Sequence, residues 1–349
     1  MRIGTDTSKF PGAAENGAAW TLREIAALGL EGAFFRSPYE LSPTLDPGEM
    51  RDAVALGHDL GLYVEVGTAK VNPFAAPEAP RVRDLGDGDY LRGLERLIRA
   101  CAGAGVTELW TATANYQFRL PGLRACDRFR DDVAWAGQLA ATAKVLDRLA
   151  PLLRDLGVHL NLETHEEITS FEAVRLVEDA GPDAFGITFD TANVFVRAED
   201  PVAAAARVGP YVRQSHVRDV APMFTDDGVG RFLAPCGQGV IDWPALLAHL
   251  PAEATLSIEG IVGGRAEMPL FLHDPLWQEG HPDLTVAELA EVLRLTRGYE
   301  DRAAAGEAPG LAALRAPCGP GDSLAFITQS AAHLRAVLST RSADLEVTV

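Results

Sequence analysis

The sequence predicts an α/β fold, a (β/α)8 TIM barrel followed by a C-terminal helical extension. Eight short apolar segments with β-strand character alternate with amphipathic segments along the chain. Four of these segments end in a side chain that can bind a metal ion. A chain of 349 residues also has room for one barrel of about 250 residues together with an extension.

The eight predicted strands are spaced so that a helix fits between most of them. They cover residues 2–5, 32–36, 63–67, 108–112, 159–163, 186–190, 212–216 and 255–259. Helices are predicted from the spacing of apolar residues at 16–28, 48–60, 90–104, 133–156 and 170–180. This alternation over the whole chain favours a closed parallel barrel over an open sheet.

The chain after the last predicted strand is interpreted as a loop, a closing helix and an extension. The loop covers residues 260–282, and a helix at about 285–305 is expected to close a barrel domain of residues 1–308. Residues 309–349 form the extension, in which one helix carries an apolar stripe. We expect this stripe to pack on the barrel wall or on a neighbouring subunit. Its residues are Leu324, Ile327, Ala331, Leu334 and Leu338.

Composition and charge narrow the possible classes of function. No apolar run approaches the roughly 18 residues of a membrane span, and the start of the sequence lacks the pattern of a signal peptide. The four cysteines are far apart and fit no zinc motif, so we expect reduced thiols in a cytoplasmic protein. A net charge of −18 opposes binding to nucleic acid. We therefore expect no membrane or nucleic-acid partner.

Four candidate metal ligands end successive predicted strands. Glu163 ends HLNLE, Asp190 ends FGITFD, His216 ends VRQSH and Glu259 ends TLSIE. Taken singly, each carboxylate could instead cap the following helix, and His216 could be a hydrogen-bonded structural histidine. Parallel strands of a barrel end at one mouth, where three carboxylates without a cation would repel one another. The sequence therefore predicts one divalent metal ion at this mouth.

Five motifs give residues 1–300 a resemblance to the xylose-isomerase-like barrel superfamily, the sugar phosphate isomerase/epimerase family. They are ETH at 163–165, FDTAN at 189–193, SHVRD at 215–219, CGQGVIDW at 236–243 and SIEG at 257–260. The resemblance implies that Glu163, Asp190, His216 and Glu259 bind one divalent ion, Mn²⁺ in first place and Mg²⁺ or Co²⁺ as alternatives. It also implies that Glu163 and Glu259 accept and donate a proton on opposite sides of a hydroxy-ketone.

Two positions depart from the sugar epimerases of this family. Asn193 stands where those enzymes often have a histidine that contacts substrate. The run His216-Val-Arg218-Asp219 is closer to the HxKD form of relatives such as inosose dehydratases. We take Asn193, Arg218 and Asp219 as candidate substrate-binding residues, and the departures raise the prospect of a lyase.

The remaining candidates carry weaker signals. His165 follows Glu163 by two residues, so on a strand it would point the same way and act as a catalytic residue on a substrate oxygen or proton. It could equally be a hydrogen-bonded loop histidine. Arg36, Glu65 and Lys70 are expected at the same mouth as substrate-binding residues, with solvated surface charges as the alternative.

The leading functional hypothesis is a metal-dependent isomerase or epimerase of a keto-sugar or related polyol ketone, acting through a metal-stabilised enediolate. The alternative is a lyase of a 3-keto-sugar derivative, by dehydration, C- or O-deglycosylation or decarboxylation. We expect a homo-oligomer; relatives that cleave 3-keto-glycosides pair with a small partner subunit, which leaves a hetero-oligomer open.

Two further classes are disfavoured. An abasic-site endonuclease of the same barrel needs extra histidines on the early strands, and this chain has none between His58 and His159. A non-catalytic scaffold would not need the complete set of ligands.

Overall fold

The computed structural model of the protein describes residues 1–75 and 79–347, with side chains up to residue 341. The last two positions of the predicted extension, 348 and 349, lie outside the described residues. Eleven β-strands are present in the described part. They are β1 (Arg2–Asp6), β2 (Gly32–Phe35), β3 (Tyr63–Gly67), β4 (Glu108–Thr111), β5 (His159–Glu163), β6 (Phe185–Asp190), β7 (Val212–Val217), β8 (Asp219–Thr225), β9 (Gly228–Ala234), β10 (Thr255–Ile258) and β11 (Met268–Leu270).

The α-helices lie mostly between the strands, as expected for a barrel. They are α1 (Ala13–Ala27), α2 (Pro47–Asp59), α3 (Pro80–Leu85), α4 (Tyr90–Gly103), α5 (Trp135–Leu156), α6 (Ser170–Ala180), α7 (Asn193–Val196), α8 (Pro201–Val208), α9 (Trp243–Ala248), α10 (Pro275–Glu279), α11 (Val286–Ala304), α12 (Leu311–Leu314) and α13 (Pro320–Val347). Short 3-10 helices cover Thr7–Lys9, Pro38–Glu40, Gly122–Ala125, Asp127–Phe129 and Gly209–Tyr211.

Eight of the strands close into a parallel barrel, in the order β1-β10-β7-β6-β5-β4-β3-β2. The predicted (β/α)8 barrel is therefore confirmed. Each of the eight predicted strands is present, and its ends differ from the prediction by one residue at most. The sequence signal was strong because these strands are almost entirely buried and so consist of near-continuous apolar residues.

Local sequence signals set the ends of several helices. Asp46 and Asp200 accept hydrogen bonds from the first backbone N–H groups of α2 and α8, and each is followed by a proline at the first helical position. Thr169 and Glu172 form a reciprocal capping box at the start of α6. These caps fix where each helix begins behind the strand that precedes it.

A second, three-stranded antiparallel sheet of β8, β9 and β11 was not anticipated from the sequence. Its strands β8 and β9 lie in the chain between β7 and β10, shortly after the predicted metal ligand His216, and β11 follows β10. The strands β8 and β9 pair over their full length as a hairpin, and β11 pairs with β9. This sheet brings residues 219–234 beside the carboxyl end of the barrel.

The prediction that a helix at 285–305 closes the barrel is wrong. Helix α11 is present there, but it packs mainly against β8 of the added sheet. Helix α13 instead packs against β1, β10 and α9, and Ile327 and Leu334 of its apolar stripe are fully buried. The stripe thus covers the seam between the first and last barrel strands, which would otherwise expose apolar surface. Among the described residues, no helix combines the length and apolar character needed to span a membrane.

Candidate metal centre and substrate cavity

The four predicted metal ligands converge at the carboxyl end of the barrel. Glu163, Asp190, His216 and Glu259 belong to β5, β6, β7 and the residue after β10, which are consecutive neighbours in the closed sheet. Asp190 pairs in register with His216, and His216 with Ser257. One ligand atom from each residue lies within 4.8 Å of the others, and all four side chains are buried.

This spacing fits a single hard or borderline divalent cation. An ion with metal–oxygen distances of 2.0–2.6 Å places opposite ligands roughly 4–5 Å apart. The Nδ1 atom of His216 lies 3.0 Å from Glu163 Oε1 and 3.6 Å from Glu259 Oε2, so the imidazole faces the carboxylates that would share the ion. Three carboxylates and one imidazole also match the ligand preference of Mn²⁺ or Mg²⁺.

Two of the ligands are oriented by other side chains or by backbone groups. Trp110 Nε1 donates a hydrogen bond to Glu163 Oε2 over 2.9 Å. Asp190 Oδ1 accepts from the backbone N–H groups of Ala192 and Asn193, at 2.9 and 3.0 Å. With one oxygen Asp190 therefore accepts from backbone N–H groups at the start of α7, as a capping residue does, and the other oxygen, Oδ2, faces the site and pairs with Arg218. Capping and ligand binding, treated as alternatives from the sequence, are compatible in this residue.

Two arginines pair with the same carboxylates. Arg218 Nη2 lies 2.6 Å from Asp190 Oδ2, and Arg218 Nη1 lies 3.1 Å from Glu259 Oε1. Arg36 bridges Glu259 Oε1 and Asp6 Oδ2, at 2.9 and 2.8 Å. These cations already balance much of the negative charge, so repulsion among the carboxylates does not by itself require a metal. The convergence of the ligand atoms carries the metal assignment instead.

The electrostatics differ among the carboxylates. Burial alone would raise the pKa of Glu259, but Arg218, Arg36 and His216 outweigh it and hold that pKa well below its usual value. Burial raises the pKa of Asp190 to about 6 against the effect of Arg218, with Glu259 and Glu163 adding to the increase. Glu259 is therefore the more strongly ionised of the two groups.

His165 belongs to a second cluster of ionisable groups beside the first. Its Nδ1 lies 2.7 Å from Glu166 Oε2 and 2.6 Å from Glu167 Oε2, and its Nε2 lies 4.0 Å from Glu163 Oε2. Burial lowers the pKa of His165, but Glu166, Glu167 and Glu163 outweigh it and raise that pKa to about 10. The imidazole is thus held by acidic partners on one side and faces Glu163 with the other.

A cavity of about 430 Å³ opens above the two clusters. Its lining includes Glu259, His165, Glu166, Arg36, Arg218 and Arg231. Glu163, Asp190 and His216 are not part of this lining, so Glu259 is the predicted ligand that also faces the open space. The volume is within the range typical of small-molecule sites.

Four of the six predicted substrate-binding residues do not line this cavity, and two of them, Glu65 and Asp219, are held by hydrogen bonds elsewhere in the fold. Glu65 was expected at the mouth, but it lies inside β3, where its carboxylate accepts hydrogen bonds from Thr255 and Ser257 of β10. It lines a different cavity, together with residues from the amino ends of β1 and β7. The alternation of side chains along a strand predicts which of them point into the barrel. It does not predict how deep each side chain lies along the barrel axis, and Glu65 lies too deep to reach the mouth.

Asp219 is the second correction, because its carboxylate is buried and fully engaged in structure. Oδ1 accepts from Val220 N and Ile241 N at 2.8 and 3.0 Å, and Oδ2 accepts from Gly237 N and Trp243 Nε1, both at 2.8 Å. These bonds tie β8 to the CGQG loop, in which Gly237 has a positive φ of 83°. A side chain at Gly239 would meet Asp219 Oδ1 at 2.2 Å, which accounts for that glycine.

The other predicted binding residues lie near the site with different degrees of access. Arg36 and Arg218 line the cavity. Lys70 lies over the Trp110 ring, with Nζ 4.9 Å from the ring centroid, and lines an adjoining cavity of about 340 Å³. Asn193 is fully buried, and its Oδ1 accepts from Arg218 and Arg231 at 3.1 and 3.3 Å.

Several residues of the site were missed from the sequence. Asp6, Trp110, Glu167 and Arg231 contact the predicted residues but were not singled out. Asp6 ends β1 just as the chosen ligands end their strands, so that pattern could have identified it. Arg231 had no such signal, because it lies on the added hairpin.

Similarity to known proteins agrees with this geometry. A family model described as xylose isomerase-like TIM barrel matches residues 22–280. The uncharacterized protein YihM of Escherichia coli (strain K12) is 32% identical over 97 residues, which are 28% of this chain and 30% of YihM. The match thus spans less than a third of the length of that relative.

Solved structures with the same fold include sugar epimerases. A structure of L-ribulose 3-epimerase has a TM-score of 0.59 at 16% identity, covering 99% of this chain and 97% of that one. The 3-keto-D-glucoside 4-epimerase YcjR of E. coli has a TM-score of 0.54 at 18% identity, covering 84% and 99%. A D-psicose 3-epimerase crystallised with D-fructose has a TM-score of 0.55 at 16% identity, covering 88% and 99%. At these identities the similarity shows the fold, and with the family match the conclusion is that this chain belongs to the xylose isomerase-like TIM barrel family.

Proposed function

We propose that the protein is a divalent-metal-dependent isomerase or epimerase of a keto-sugar or related polyol ketone. One observation carries the proposal: four metal-capable side chains converge within 4.8 Å, and one of them, Glu259, lines a cavity of about 430 Å³. Sugar epimerases among the solved structures with this fold, such as those that act on L-ribulose and on a 3-keto-D-glucoside, support the same class.

The cation would be held by Glu163, Asp190, His216 and Glu259, and Mn²⁺ is our first choice. When bound, it supplies electrophilic stabilisation of the negative charge that develops on the oxygens of a hydroxy-ketone. The chain itself supplies the orientation of these ligands. Trp110 and the N-terminus of α7 fix Glu163 and Asp190, as described above, so the site is preorganised by packing.

Proton transfer is assigned to groups that flank the space above the ligands. Glu259 is the predicted ligand that faces the cavity, and its carboxylate can accept a proton from the carbon next to the carbonyl. Glu163 lies on β5, which is separated from β10 by two strands around the barrel, and His165 lies beside it and lines the cavity. Glu163, with His165 next to it, is therefore proposed to exchange the proton on the other side of the substrate.

The metal requirement can be tested without any substrate. The protein is stripped with a chelator, reloaded with Mn²⁺ and analysed for metal, and we expect about one ion per chain and a higher melting temperature than in the stripped protein. His216→Ala should lose the ion and this increase, whereas His58→Ala, an exposed histidine on α2, should keep both. Equal metal content in the two variants would refute the assignment.

The reaction class can be tested by isotope exchange. A panel of keto-sugars and 3-keto-glycosides is incubated with the Mn²⁺-loaded protein in D₂O. Uptake of deuterium next to the carbonyl without fragmentation is the result we expect. Release of an aglycone, water or CO₂ would instead identify the lyase alternative, and no exchange with any keto compound would refute both.

A further inference from the structure

The added hairpin places a buried arginine without a carboxylate partner beside the candidate metal centre. Arg231, on β9, is fully buried and lines the 430 Å³ cavity. Its guanidinium contacts are with neutral groups: Asn193 Oδ1 at 3.3 Å, Met268 Sδ at 2.7 Å and the Ala266 carbonyl oxygen at 3.3 Å. Its Nε has no hydrogen-bond partner within the described part of the chain.

The neighbouring groups do not neutralise Arg231 at ion-pair distance. Arg218, whose own charge is paired with Asp190 and Glu259, donates to the same Asn193 oxygen over 3.1 Å, so two guanidinium groups meet at one amide. Glu166 and Asp190 act on Arg231 only from beyond 4.0 Å. Burial, followed by the repulsion of Arg218, lowers the pKa of Arg231 to about 10.

This arrangement presents hydrogen-bond donors without matching acceptors. Asn193 uses its oxygen for the two arginines, and its Nδ2 is buried without a partner among the described residues. We call Asn193, Arg218 and Arg231 the cationic wall. A buried cation and unpaired donors destabilise a folded chain unless an anionic or strongly accepting group completes them. A buried polar group without a partner therefore calls for an explanation, and a bound ligand that supplies the missing acceptor is one.

We propose that the cationic wall binds an anionic group, a carboxylate or a phosphate, carried by the sugar substrate. The inference rests on the proposed function only for the sugar part of the ligand. Arg231 lines the same cavity as Glu259, so an anion on the wall and a keto-sugar above the metal ligands can belong to one molecule. Lys9 also lines this cavity, makes no ion pair within the described residues and adds positive potential there.

The wall also gives the site a local charge opposite to that of the whole protein. The net charge of −18 repels anions at long range, whereas four basic side chains, Lys9, Arg36, Arg218 and Arg231, line this cavity against two acidic ones, Glu166 and Glu259. The cationic wall is therefore expected to select anions at short range, where charge-assisted hydrogen bonds form.

The test measures binding by calorimetry with three probes that differ at one carbon. D-fructose is neutral, D-fructuronate carries a carboxylate and D-fructose 6-phosphate carries a phosphate. Each probe is titrated into the Mn²⁺-loaded wild-type protein and into the Mn²⁺-loaded Arg231→Met variant. We expect one of the anionic probes to bind wild type about ten- to hundred-fold more tightly than D-fructose, and this preference to be lost in Arg231→Met. The preferred probe distinguishes the two sources of negative charge.

A control variant and a measurement of the melting temperature distinguish a loss of anion binding from a loss of folding. Arg99→Met removes an exposed arginine on α4 and should leave the preference unchanged. Without ligand, Arg231→Met should melt no lower than wild type, because it removes an unpaired buried charge. An anion preference without turnover of any keto-sugar would support the wall and refute the proposed reaction. Equal binding of all three probes to wild type, or an unchanged preference in Arg231→Met, would overturn the inference.

Discussion

Replacing Asp219 by Asn tests whether this residue holds the fold or binds substrate. In the structure each carboxylate oxygen accepts two hydrogen bonds, from Val220 and Ile241 on one side and from Gly237 and Trp243 on the other. An amide keeps one oxygen and turns an NH₂ group toward the other pair of donors. Either orientation of the amide therefore leaves two N–H groups without an acceptor, and both are buried when the NH₂ group faces Val220 and Ile241.

The expected magnitude follows from those two groups. Each buried donor left unpaired costs about 1–3 kcal/mol. Burial raises the pKa of Asp219, so removing the charge recovers part of this loss. We expect a net loss of about 2–4 kcal/mol in the free energy of unfolding. A chain of 349 residues has an unfolding entropy of roughly 0.7 kcal/mol/K, so the melting temperature should fall by about 3–6 °C.

The assay is thermal unfolding of Asp219→Asn beside Asp226→Asn, the same substitution at an exposed position of the same hairpin. The control should stay within about 1 °C of wild type. If Asp219→Asn melts like the control, the four hydrogen bonds do not stabilise the loop and the reasoning fails. Full stability combined with loss of substrate binding would restore the role that the sequence suggested.

Three further predictions concern the reaction, the barrel interior and the last helix. Glu259→Gln should lower kcat by about 10²–10⁴-fold, since an amide accepts no proton; near-normal kcat in a folded variant would remove Glu259 from proton transfer. Burial raises the pKa of Glu65 from 4.5 to about 7, so the stability supplied by its protonated form is lost as pH rises through that window. Glu65→Gln should therefore gain on the order of 1–3 kcal/mol over wild type at pH 8 and little at pH 4 in urea unfolding; an unchanged pH profile would contradict this. Ile327→Ala, at a fully buried position of α13, should cost about 2–5 kcal/mol, while Leu324→Ala, at a partly exposed position of the same helix, should cost less than about 1 kcal/mol. Equal melting temperatures for the two would show that α13 does not stabilise the barrel.

The barrel and its four ligands were predictable because their signals are local. A strand buried on both faces must be apolar along its length, so the segments ending in Glu163, Asp190 and Glu259 stand out from the chain. Parallel closure then brings their carboxyl ends to one mouth whatever the loops do. The convergence of these residues with His216 follows from strand order alone.

The added sheet and the closing helix were decided only by tertiary packing. The strands β8 and β9 pair with each other in an antiparallel hairpin, and their sequence, with Arg231 and Gly230 between apolar residues, resembles an irregular loop. Helices α11 and α13 both carry apolar residues, so the sequence does not tell which of them completes the barrel. In the structure α13 packs against the barrel strands β1 and β10, whereas α11 packs against β8 of the added sheet.

By itself, the sequence determined the class of fold, the positions of its eight barrel strands and the set of side chains that can hold a metal ion. Tertiary structure decided which charged residues have access to the cavity: Asp219 and Glu65 are occupied by hydrogen bonds elsewhere, whereas Arg231 reaches the cavity from the antiparallel hairpin. The physical reason is that hydrophobic periodicity specifies which face of a strand is buried. The partner of a buried charge depends instead on distances of a few ångströms between segments far apart in the chain.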